Sequence, residues 1–500
     1  MLKALLRFLL ARFWRVLKTR SFRRHSGQGM IAELSRAPET PASDAALAYL
    51  KLGQSLRQSG RAGEAINQLR RFYALAPRTP GALRELVTAL IEFDMCDKAL
   101  SIAAQAVESD GASYEASLCL GVAHQKLHQP ERALACYESA ARIRNDDAEL
   151  YDARGSTFQE MGRMDEAFAQ YDLALALRPD FPLALFHRAL ARLLVQDFEH
   201  GWPDYELRRM SADRVAFPEV APRWDGAPLT GRTILIRREQ GLGDEIMFAS
   251  VLPELLRMTG HCIIECDPRL RALFSRSFPA ATVFGAIPDR SLPHGIAQRK
   301  IDFEIGMGSL PLFLRRSAVN FPRHQGYLNA DQGRIAHWRA RLAQLGPGLK
   351  VGISWAGGVR KTRRALRSIA LPELLPVLST PGAQFVSLQY TSEAAGEAAA
   401  MEAQSGIRIE HWPDAIEDYD ETAALVCALD LVVSVCTSVV HLGGALGRPV
   451  WVMAPYSPEW RYGFKGETMP WYPSVRLFRS PGFGQWQPVV ESVSGALRQR

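Results

Sequence analysis

The sequence contains little cysteine: there are seven among 500 residues, which is an odd number. Cys262 and Cys266 are separated by three residues, and no second cysteine pair accompanies them, which argues against a structural zinc site. So few cysteines, several of them inside apolar patterns, are typical of a protein from a reducing compartment. We therefore expect a cytoplasmic protein without a bound metal ion.

An excess of positive charge is confined to the first 25 residues. The formal net charge of the chain is +7, but residues 1–25 hold eight lysines or arginines and no acid, so the other 475 residues carry a net charge of −1. A nucleic-acid-binding protein usually presents a basic patch on its folded body. The charge distribution therefore disfavours a nucleic acid as a partner.

Long uncharged runs are absent from residues 1–25, where apolar residues alternate with the cations and mostly share one helical stripe. No run reaches the roughly 18 residues that span a bilayer, and no small-residue cleavage site follows. The pattern favours a basic amphipathic helix on an anionic membrane surface, which would hold a cytoplasmic protein peripherally on the inner face of the cytoplasmic membrane. A helix packed on the protein itself and a disordered arm remain alternatives.

After a linker at residues 26–44, small and aromatic residues recur with a period of 34. Such a period indicates stacked helical hairpins, with small residues where two helices approach closely. The pattern resembles the tetratricopeptide repeat, which we predict over residues 45–210, with a protein or peptide as the partner of its concave face. The residues that carry the period include Ala65, Ala99, Ala133, Ala167, Tyr137, Tyr171 and Tyr205, and residues 148–181 match the family pattern most fully.

A connector at 211–230 leads into α/β sequence. Continuous apolar runs, typical of strands buried on both faces, alternate with helical stretches and predict two lobes, at 231–335 and 336–500. In the first lobe the predicted strands are 234–236, 262–266 and 303–305.

The first strand of this region is followed by a glycine turn. Gly241 and Gly243 bracket Leu242, and a helical pattern starts at Asp244. Ligands of doubly wound sheets bind at such strand ends, and glycine lets the backbone approach them closely. A third glycine three residues further on is missing, so the turn is not the dinucleotide fingerprint.

Three motifs occur in order: the glycine turn at 239–245, Trp355-Ala-Gly-Gly358, and the stretch 422–451, followed by Pro458-Glu-Trp-Arg461. They resemble the family 9 glycosyltransferases, the group of the lipopolysaccharide heptosyltransferases, and more closely the bacterial proteins that fuse tetratricopeptide repeats to such a domain. The resemblance implies the two-lobed GT-B fold, with the acceptor on the N-terminal lobe and a nucleotide-sugar donor on the C-terminal lobe. It also implies inversion at the anomeric carbon without a metal ion.

Asp244 matches the catalytic base of that family, which takes the proton of the acceptor hydroxyl. Its alternative role is that of a helix N-cap, for which aspartate is well suited without any catalysis. The sequence leaves both roles open.

The donor diphosphate is expected at the strand-to-helix turn 435–441. Backbone N–H groups there and the hydroxyls of Thr437 and Ser438 are suited to an anion, and His441 lies on the same helix face as Thr437. A structural role for His441 is the alternative. Cys436 stands where the family usually has aspartate, and a thiol does not replace a carboxylate.

Three further residues are candidates for donor binding. Arg367 matches a basic residue that reaches the donor phosphates, although the arginines and lysine before it at 360–364 are equally typical of a solvated loop. Asp420 or Glu421 is a candidate for the donor ribose, with a helix-start acid as the alternative. We expect Trp460 and Arg461 to make core and lobe contacts rather than to act in catalysis.

These residues together predict an inverting glycosyltransferase whose acceptor, a protein or a lipid-linked glycan, is recruited by the repeats. Its nucleotide-sugar is a co-substrate, and no other cofactor is expected. The alternative is an interaction scaffold whose transferase domain is weak or inactive, which Cys436 favours and Asp244, Thr437, His441 and Arg367 oppose.

Overall fold

The computed structural model describes the chain from residue 42 onwards, with short gaps. The predicted helix at 1–25 and the linker up to residue 41 lie outside the described residues. What is described divides into two compact units, one ending at Leu127 and the other beginning at His128. The described ranges are 42–110, 113–210, 219–289, 291–358 and 364–500.

The first unit consists of helices in antiparallel succession. Its helices pack because small residues lie at the crossings: Ala65 and Ala99 have no exposed surface, and a Cβ on Gly53 would lie 2.7 Å from Cγ of Leu69. The 34-residue spacing of the two alanines thus marks equivalent helix crossings. The helices are α1 (Ala42–Gln58), α2 (Ala62–Leu75), α3 (Ala82–Glu92), α4 (Cys96–Asp110) and α5 (Tyr114–Lys126).

The second unit opens with further helices of the same kind. Gly155 lies so close to Tyr171 of the next helix that a Cβ there would be 2.6 Å from the ring, and Ala133 and Ala167 are fully buried. The predicted tetratricopeptide repeats are therefore confirmed. The helices are α6 (Pro130–Ile143), α7 (Ala148–Glu160), α8 (Met164–Leu177), α9 (Pro182–Leu194) and α10 (Phe198–Tyr205), followed by a 3-10 turn at Glu206–Met210.

The first lobe is a parallel sheet of four strands in the order β3-β2-β1-β4. The three predicted strands are present, and a fourth, β3, was missed because it is a short, partly exposed edge strand rather than an apolar run. The strands are β1 (Thr233–Arg237), β2 (His261–Cys266), β3 (Thr282–Gly285) and β4 (Phe303–Gly306). The helices are α11 (Leu242–Phe248), α12 (Leu252–Met258), α13 (Arg271–Ser277), α14 (His294–Ala297) and α15 (Pro311–Leu314).

The second lobe is a sheet in the order β10-β11-β9-β8-β5-β6-β7, parallel except for the pairing of β10 with β11. Its central strands are almost wholly buried, as the apolar runs predicted. The strands are β5 (Leu349–Ser354), β6 (Ala383–Ser387), β7 (Ile409–Glu410), β8 (Leu431–Val435), β9 (Val450–Ala454), β10 (Thr468–Met469) and β11 (Tyr472–Arg479). The helices are α16 (Gln332–Ala343), α17 (Leu375–Leu378), α18 (Ala394–Ser405), α19 (Pro413–Glu417), α20 (Tyr419–Ala428), α21 (Ser438–Ala445) and α22 (Gln487–Arg498).

Strand order reverses once in each lobe, between β1 and β4 in the first and between β5 and β8 in the second. Ligands of such sheets bind beyond the carboxyl ends of the strands at these reversals. The glycine turn follows β1, and the turn at 435–438 follows β8, so both predicted motifs lie at such points. The predicted fold class, a helical solenoid followed by a two-lobed GT-B domain, is confirmed.

The last helix pair of the repeats is joined to both lobes through an aromatic cluster. The ring of Trp202 is 1% exposed, lies 5.5 Å from that of Trp460 and 6.4 Å from that of Trp471, and donates its N–H to the carbonyl of Arg315 at 2.8 Å. Removing a buried tryptophan of this kind costs about 3–5 kcal/mol. The end of the solenoid is therefore an integral part of the domain core. Within the described ranges, no helix is both long and apolar enough to cross a membrane.

Candidate functional site

Asp244 lies in the glycine turn, and its two carboxylate oxygens bind different partners. Gln240 has φ +69°, and the chain then enters α11 from Gly241. Oδ2 of Asp244 accepts the N–H of Gly241 at 3.2 Å; Gly241 is the N-cap of α11 and Asp244 its third residue, so Asp244 is not the N-cap that the sequence offered as an alternative but binds back to it as in a capping box. Oδ1 faces the guanidinium of Arg461, which belongs to the second lobe. Asp244 thus both stabilises the start of α11 and faces the cleft.

Gly243 allows the two lobes to approach each other at this turn. A Cβ in its place would lie 3.0 Å from Cδ2 of His441 and 3.3 Å from Cα of Ser438. Only a residue without a side chain permits α11 and α21 to cross so closely. The glycine that the sequence assigned to ligand approach therefore contacts the opposite lobe.

Two acids alternate with two arginines across the cleft. Arg461 binds Asp244 and lies 3.5 Å from Oε2 of Glu459, whose Oε1 accepts from Nη1 of Arg367 at 2.7 Å. Burial alone would lower the pKa of the Arg461 guanidinium, but the carboxylates of Asp244 and Glu459 raise it above its usual value. We call the row Asp244–Arg461–Glu459–Arg367 the charge row. It contains two negative and two positive side chains and is therefore neutral overall.

The turn after β8 lies against the turn after β5. A Cβ on Gly357 would be 2.8 Å from both the carbonyl oxygen of Cys436 and Cγ2 of Thr437. Thr437 precedes α21, and its hydroxyl lies 3.0 Å from that of Ser434, so it faces the strand. Ser438, the first residue of α21, is half-buried beside Gly243 of the first lobe.

His441 is enclosed by two tyrosines. Its Nδ1 lies 3.2 Å from the hydroxyl of Tyr472 and its Nε2 3.5 Å from that of Tyr462. Burial, and then the positive charge of Arg461, lowers the pKa of His441 to about 3. The imidazole is therefore neutral near pH 7 and is held by neutral hydroxyls, an arrangement that favours the structural role.

Cys436 is 1% exposed at the end of β8. Burial raises the pKa of its thiol to about 12; the carboxylate of Glu459 acts in the same direction, and the guanidinium of Arg367 acts against it. The thiol is therefore protonated near pH 7 and contributes no negative charge.

Asp420 and Glu421, the candidates for the ribose, are bound to protein groups. Asp420 accepts from Nη1 and Nη2 of Arg276 at 3.0 and 2.6 Å, which links α20 to the first lobe. Glu421 accepts from the indole N–H of Trp338 at 2.8 Å and pairs with Arg334 at 2.8 Å. These contacts favour the structural role of both acids.

A second buried charge cluster supports the glycine turn from behind. Arg208, at the end of the repeats, donates to Oε1 of Glu239 and to the hydroxyl of Ser309, both at 2.6 Å. Burial alone would lower the pKa of Arg208, but Glu239 and Glu206 raise it. Glu239 precedes the turn directly, so the repeats help to set the position of Asp244.

The segment that carries Glu459 and Arg461 rests on the repeats. The hydroxyl of Ser457 donates to the carbonyl of Gln159 at 2.9 Å, and a Cβ on Gly162 would lie 2.8 Å from the ring of Tyr456. The other end of this segment, at Gly463, lies against Gln196. We call residues 456–463 the docking segment.

The sequence reading did not identify Glu459 or Arg208 as parts of the site. The only signal for Glu459 was its place in the Pro458–Arg461 motif, and Arg208 had none, because a buried arginine in a loop looks like any surface cation. Among the described residues, no group of three or more His, Cys, Asp or Glu side chains is suited to holding a metal ion.

Comparison with known proteins adds the following. The tetratricopeptide repeat family matches residues 148–181. A receptor for peroxisomal targeting signals from Saccharomyces cerevisiae is 28% identical over 87 residues, 17% of this chain and 14% of that protein. The crystal structure of a tetratricopeptide repeat protein of Thermus thermophilus is 23% identical, with a TM-score of 0.30, covering 34% of this chain and 93% of that one. The structure of E. coli ADP-heptose lipopolysaccharide heptosyltransferase II is 15% identical, with a TM-score of 0.41, covering 54% of this chain and 98% of that one.

The longest of these matches is with Protein FlbA of Caulobacter vibrioides. It is 32% identical over an alignment of 449 positions that covers 85% of this chain and 74% of that protein. The match therefore covers repeats and lobes together rather than the repeats alone. This extent of identity shows that the chain belongs to the FlbA family.

Proposed function

We propose that the protein is an inverting glycosyltransferase of the GT-B type. It moves a sugar from a nucleotide-sugar, its co-substrate, to an acceptor that the repeats recruit, without a metal or another cofactor. The observation that carries the proposal is the position of Asp244. Its carboxylate lies at the strand reversal of one lobe and faces Arg461 of the other lobe, while the neighbouring Gly243 packs on the start of α21 at the strand reversal of that lobe.

The reaction follows from this arrangement. The carboxylate of Asp244 takes the proton of the acceptor hydroxyl as the oxygen attacks the anomeric carbon. The bond from that carbon to the diphosphate oxygen breaks, and the diphosphate leaves with the electron pair. Arg367, the hydroxyl of Ser438 and the first N–H groups of α21 stabilise the growing negative charge. His441 is neutral and enclosed, so its part is to hold the crossing of the lobes.

The acceptor is a protein or a lipid-linked glycan, and its binding surface is the concave face of the repeats. Solenoids present such faces to extended partners. The docking segment rests on the ends of the repeat helices α7 and α9, so the last repeats are joined directly to the segment that carries Glu459 and Arg461.

A second candidate function is an interaction scaffold with a weak or inactive transferase domain. It is favoured by Cys436, a buried neutral thiol at the position where the family 9 glycosyltransferases that the sequence resembles usually have aspartate, and by the ion pair that holds Asp244. The two candidates differ in ligand binding, which a scaffold does not need.

Thermal unfolding with a panel of nucleoside diphosphates and nucleotide-sugars decides between them. A ligand at 100 times its Kd stabilises the folded protein by about 2.7 kcal/mol, which is readily measured. We expect one diphosphate and its sugar conjugate to stabilise the protein and the matching monophosphate to do so less. Donor hydrolysis or transfer is then assayed with that sugar. No stabilisation by any member of the panel at millimolar concentration would favour the scaffold.

Peripheral membrane binding through residues 1–25 is part of the proposal. The eight cations of this segment suit an anionic surface, and high salt should weaken the attraction. Sedimentation with liposomes of mixed phosphatidylserine and phosphatidylcholine tests it. The whole chain should pellet with these liposomes, and a form beginning at Ala42 should stay in solution. Equal recovery of both forms with the liposomes would contradict membrane binding through this segment.

A further inference from the structure

The carboxylate of Glu459 lies between two arginines of the cleft. Its Oε1 is 2.7 Å from Nη1 of Arg367, and its Oε2 is 3.5 Å from Nη1 of Arg461. The two arginines come from different parts of the second lobe: Arg367 ends a 3-10 helix (Arg364–Arg367) between β5 and β6, and Arg461 belongs to the docking segment. Each oxygen of the Glu459 carboxylate therefore faces a different guanidinium group.

The same carboxylate lies near the start of α21. Nε of Arg367 donates to the carbonyl of Gly357 at 3.2 Å, and Gly357 packs directly on Cys436 and Thr437. The first N–H groups of a helix favour an anion, and here no acidic side chain of the helix start supplies one. Glu459 thus contacts both guanidinium groups and is linked through Arg367 and Gly357 to the start of α21.

Guanidinium groups bind carboxylates and phosphates through the same pairs of N–H donors. A diphosphate that reached Arg367 and the start of α21 would meet Glu459 in its place. Two anions cannot share these donors without strong repulsion, so one must leave. Asp244 at the other end of the charge row already neutralises Arg461 in part.

We propose that Glu459 is a built-in stand-in for the donor diphosphate, bound by Arg367 and Arg461 until a donor displaces it. Arg461 is then a further diphosphate-binding residue. This inference rests on the proposed glycosyltransferase function and specifies how its donor site is regulated. Before a donor binds, the charge row keeps the cleft closed, and donor binding turns the Glu459 side chain away.

The displacement is a rotation of one side chain rather than the movement of a loop. The docking segment is fixed on both sides of Glu459, at Tyr456 and Ser457 on one side and at Gly463 on the other. The side chain of Glu459 is 26% exposed, so it has a route to solvent. Freed from Glu459, Arg461 can turn to the diphosphate and release Asp244 to act on the acceptor.

Calorimetric titration with nucleoside diphosphates and with inorganic pyrophosphate tests the proposal on the whole chain. Glu459→Gln removes the competing charge and keeps the size of the side chain, so we expect its diphosphate Kd to be about 10-fold lower than that of the natural protein. The matched control is Glu467→Gln, in an exposed pair with Arg476 on the same lobe, whose Kd should be unchanged. Glu459→Ala should also bind the diphosphate more tightly than the natural protein. This second variant keeps the test valid if Glu459→Gln folds poorly.

The outcomes separate this inference from the function on which it rests. If the natural protein binds a diphosphate and both Glu459 variants bind it equally or more weakly, Glu459 is a structural bridge and the stand-in proposal is wrong, while the donor site stands. If neither the natural protein nor any folded variant binds a diphosphate at millimolar concentration, the proposed function and this inference both fail. Tighter binding of pyrophosphate alone by the Glu459 variants would support the anion site without assigning a nucleoside to it.

Discussion

Arg461 of the second lobe binds Oδ1 of Asp244 in the first, although the two residues are 217 positions apart in the chain. Oδ2 of the same carboxylate accepts the N–H of Gly241. Both carboxylate oxygens of the proposed base are therefore occupied by donors of the protein. Arg461 has to turn away from Oδ1 before this oxygen can accept the proton of the acceptor hydroxyl.

The role of Asp244 is tested by Asp244→Asn. The amide keeps much of the capping ability but cannot accept the proton, so transfer should fall by about 100-fold or more. The Kd of the donor should change little. The matched control is Asp331→Asn, which alters the cap of α16, where Oδ1 accepts the N–H of Arg334 at 3.0 Å. If Asp244→Asn instead lowers the melting temperature and keeps its transfer rate per folded molecule, Asp244 is only a helix cap.

Substitution of Asp420 tests whether this acid has a structural role or binds the donor ribose. Asp420→Asn leaves Arg276, whose side chain is 29% exposed, without its charged partner and should cost about 1–3 kcal/mol of unfolding free energy in urea. Asp414→Asn, in an exposed pair with Arg341, should cost under about 1 kcal/mol. The diphosphate Kd of folded Asp420→Asn should equal that of the natural protein. If Asp420→Asn instead raises the diphosphate Kd 10-fold and leaves the free energy of unfolding unchanged, Asp420 is a ribose-binding residue.

Glu245 makes stability depend on pH. Burial raises its pKa from 4.5 to about 7, although Arg238 and the N–H of Asp267 act against the shift. Because the pKa of Glu245 is higher in the folded state than in the unfolded state, protonation of this carboxyl contributes to the free energy of unfolding. That contribution is full below pH 4.5 and is lost as the pH rises through about 7. Glu245→Gln resembles the protonated form, so its stability relative to the natural protein should grow by about 3 kcal/mol from pH 4.5 to pH 8. Urea unfolding across this range checks it, and a constant difference would be evidence against the shift.

Gly162 tests the contact between the repeats and the docking segment. It has φ +67°, and a Cβ there would meet the ring of Tyr456 at 2.8 Å. Gly60 has φ +74° with open space around it, so Gly60→Ala carries the backbone strain alone, about 1 kcal/mol. Gly162→Ala should cost about 1–3 kcal/mol more in urea unfolding and should also weaken diphosphate binding. If both variants lower the free energy of unfolding equally and neither changes diphosphate binding, the docking segment shifts to accommodate the added methyl group and the contact with Gly162 is unimportant.

Cys436 and Glu459 should be energetically coupled. Cys436→Asp places a second carboxylate in a fully buried position near Glu459, so we expect it to destabilise the protein, whereas Cys436→Ser, which adds no charge, should do so less. Adding Glu459→Gln to Cys436→Asp should recover about 1–2 kcal/mol. A double-mutant cycle in urea measures this coupling. Strictly additive effects would show that the two side chains do not share one anion position.

Local patterns in the sequence determined the repeats and the sheets. The spacing of Ala65, Ala99, Ala133 and Ala167 encodes helix crossings, because a small residue is needed at each, and all four alanines are buried. The glycine turn was also predicted from the sequence: helical spacing was expected from Asp244, and α11 begins two residues earlier, at Leu242. Secondary structure of this kind is fixed by residues close in the chain.

The charge row could not be read in this way. Arg461 and Glu459 reach Asp244 and Arg367 only because two lobes and the end of a solenoid pack together, and charged side chains in loops show no period that would predict a partner. His441 was identified by its spacing from Thr437, but the two tyrosines that enclose it lie 21 and 31 positions away.

The sequence alone thus determined which segments form the repeats and the two lobes, and which turns lie at the strand ends, because those features follow from the periodicity of apolar and small residues. Only the tertiary structure decided the state of the candidate site residues: Asp244 locked by Arg461, Asp420 bound to Arg276, and Arg367 bound to Glu459. The physical reason is that the partner of a charge is chosen by distance and burial in three dimensions, which the order of residues does not encode.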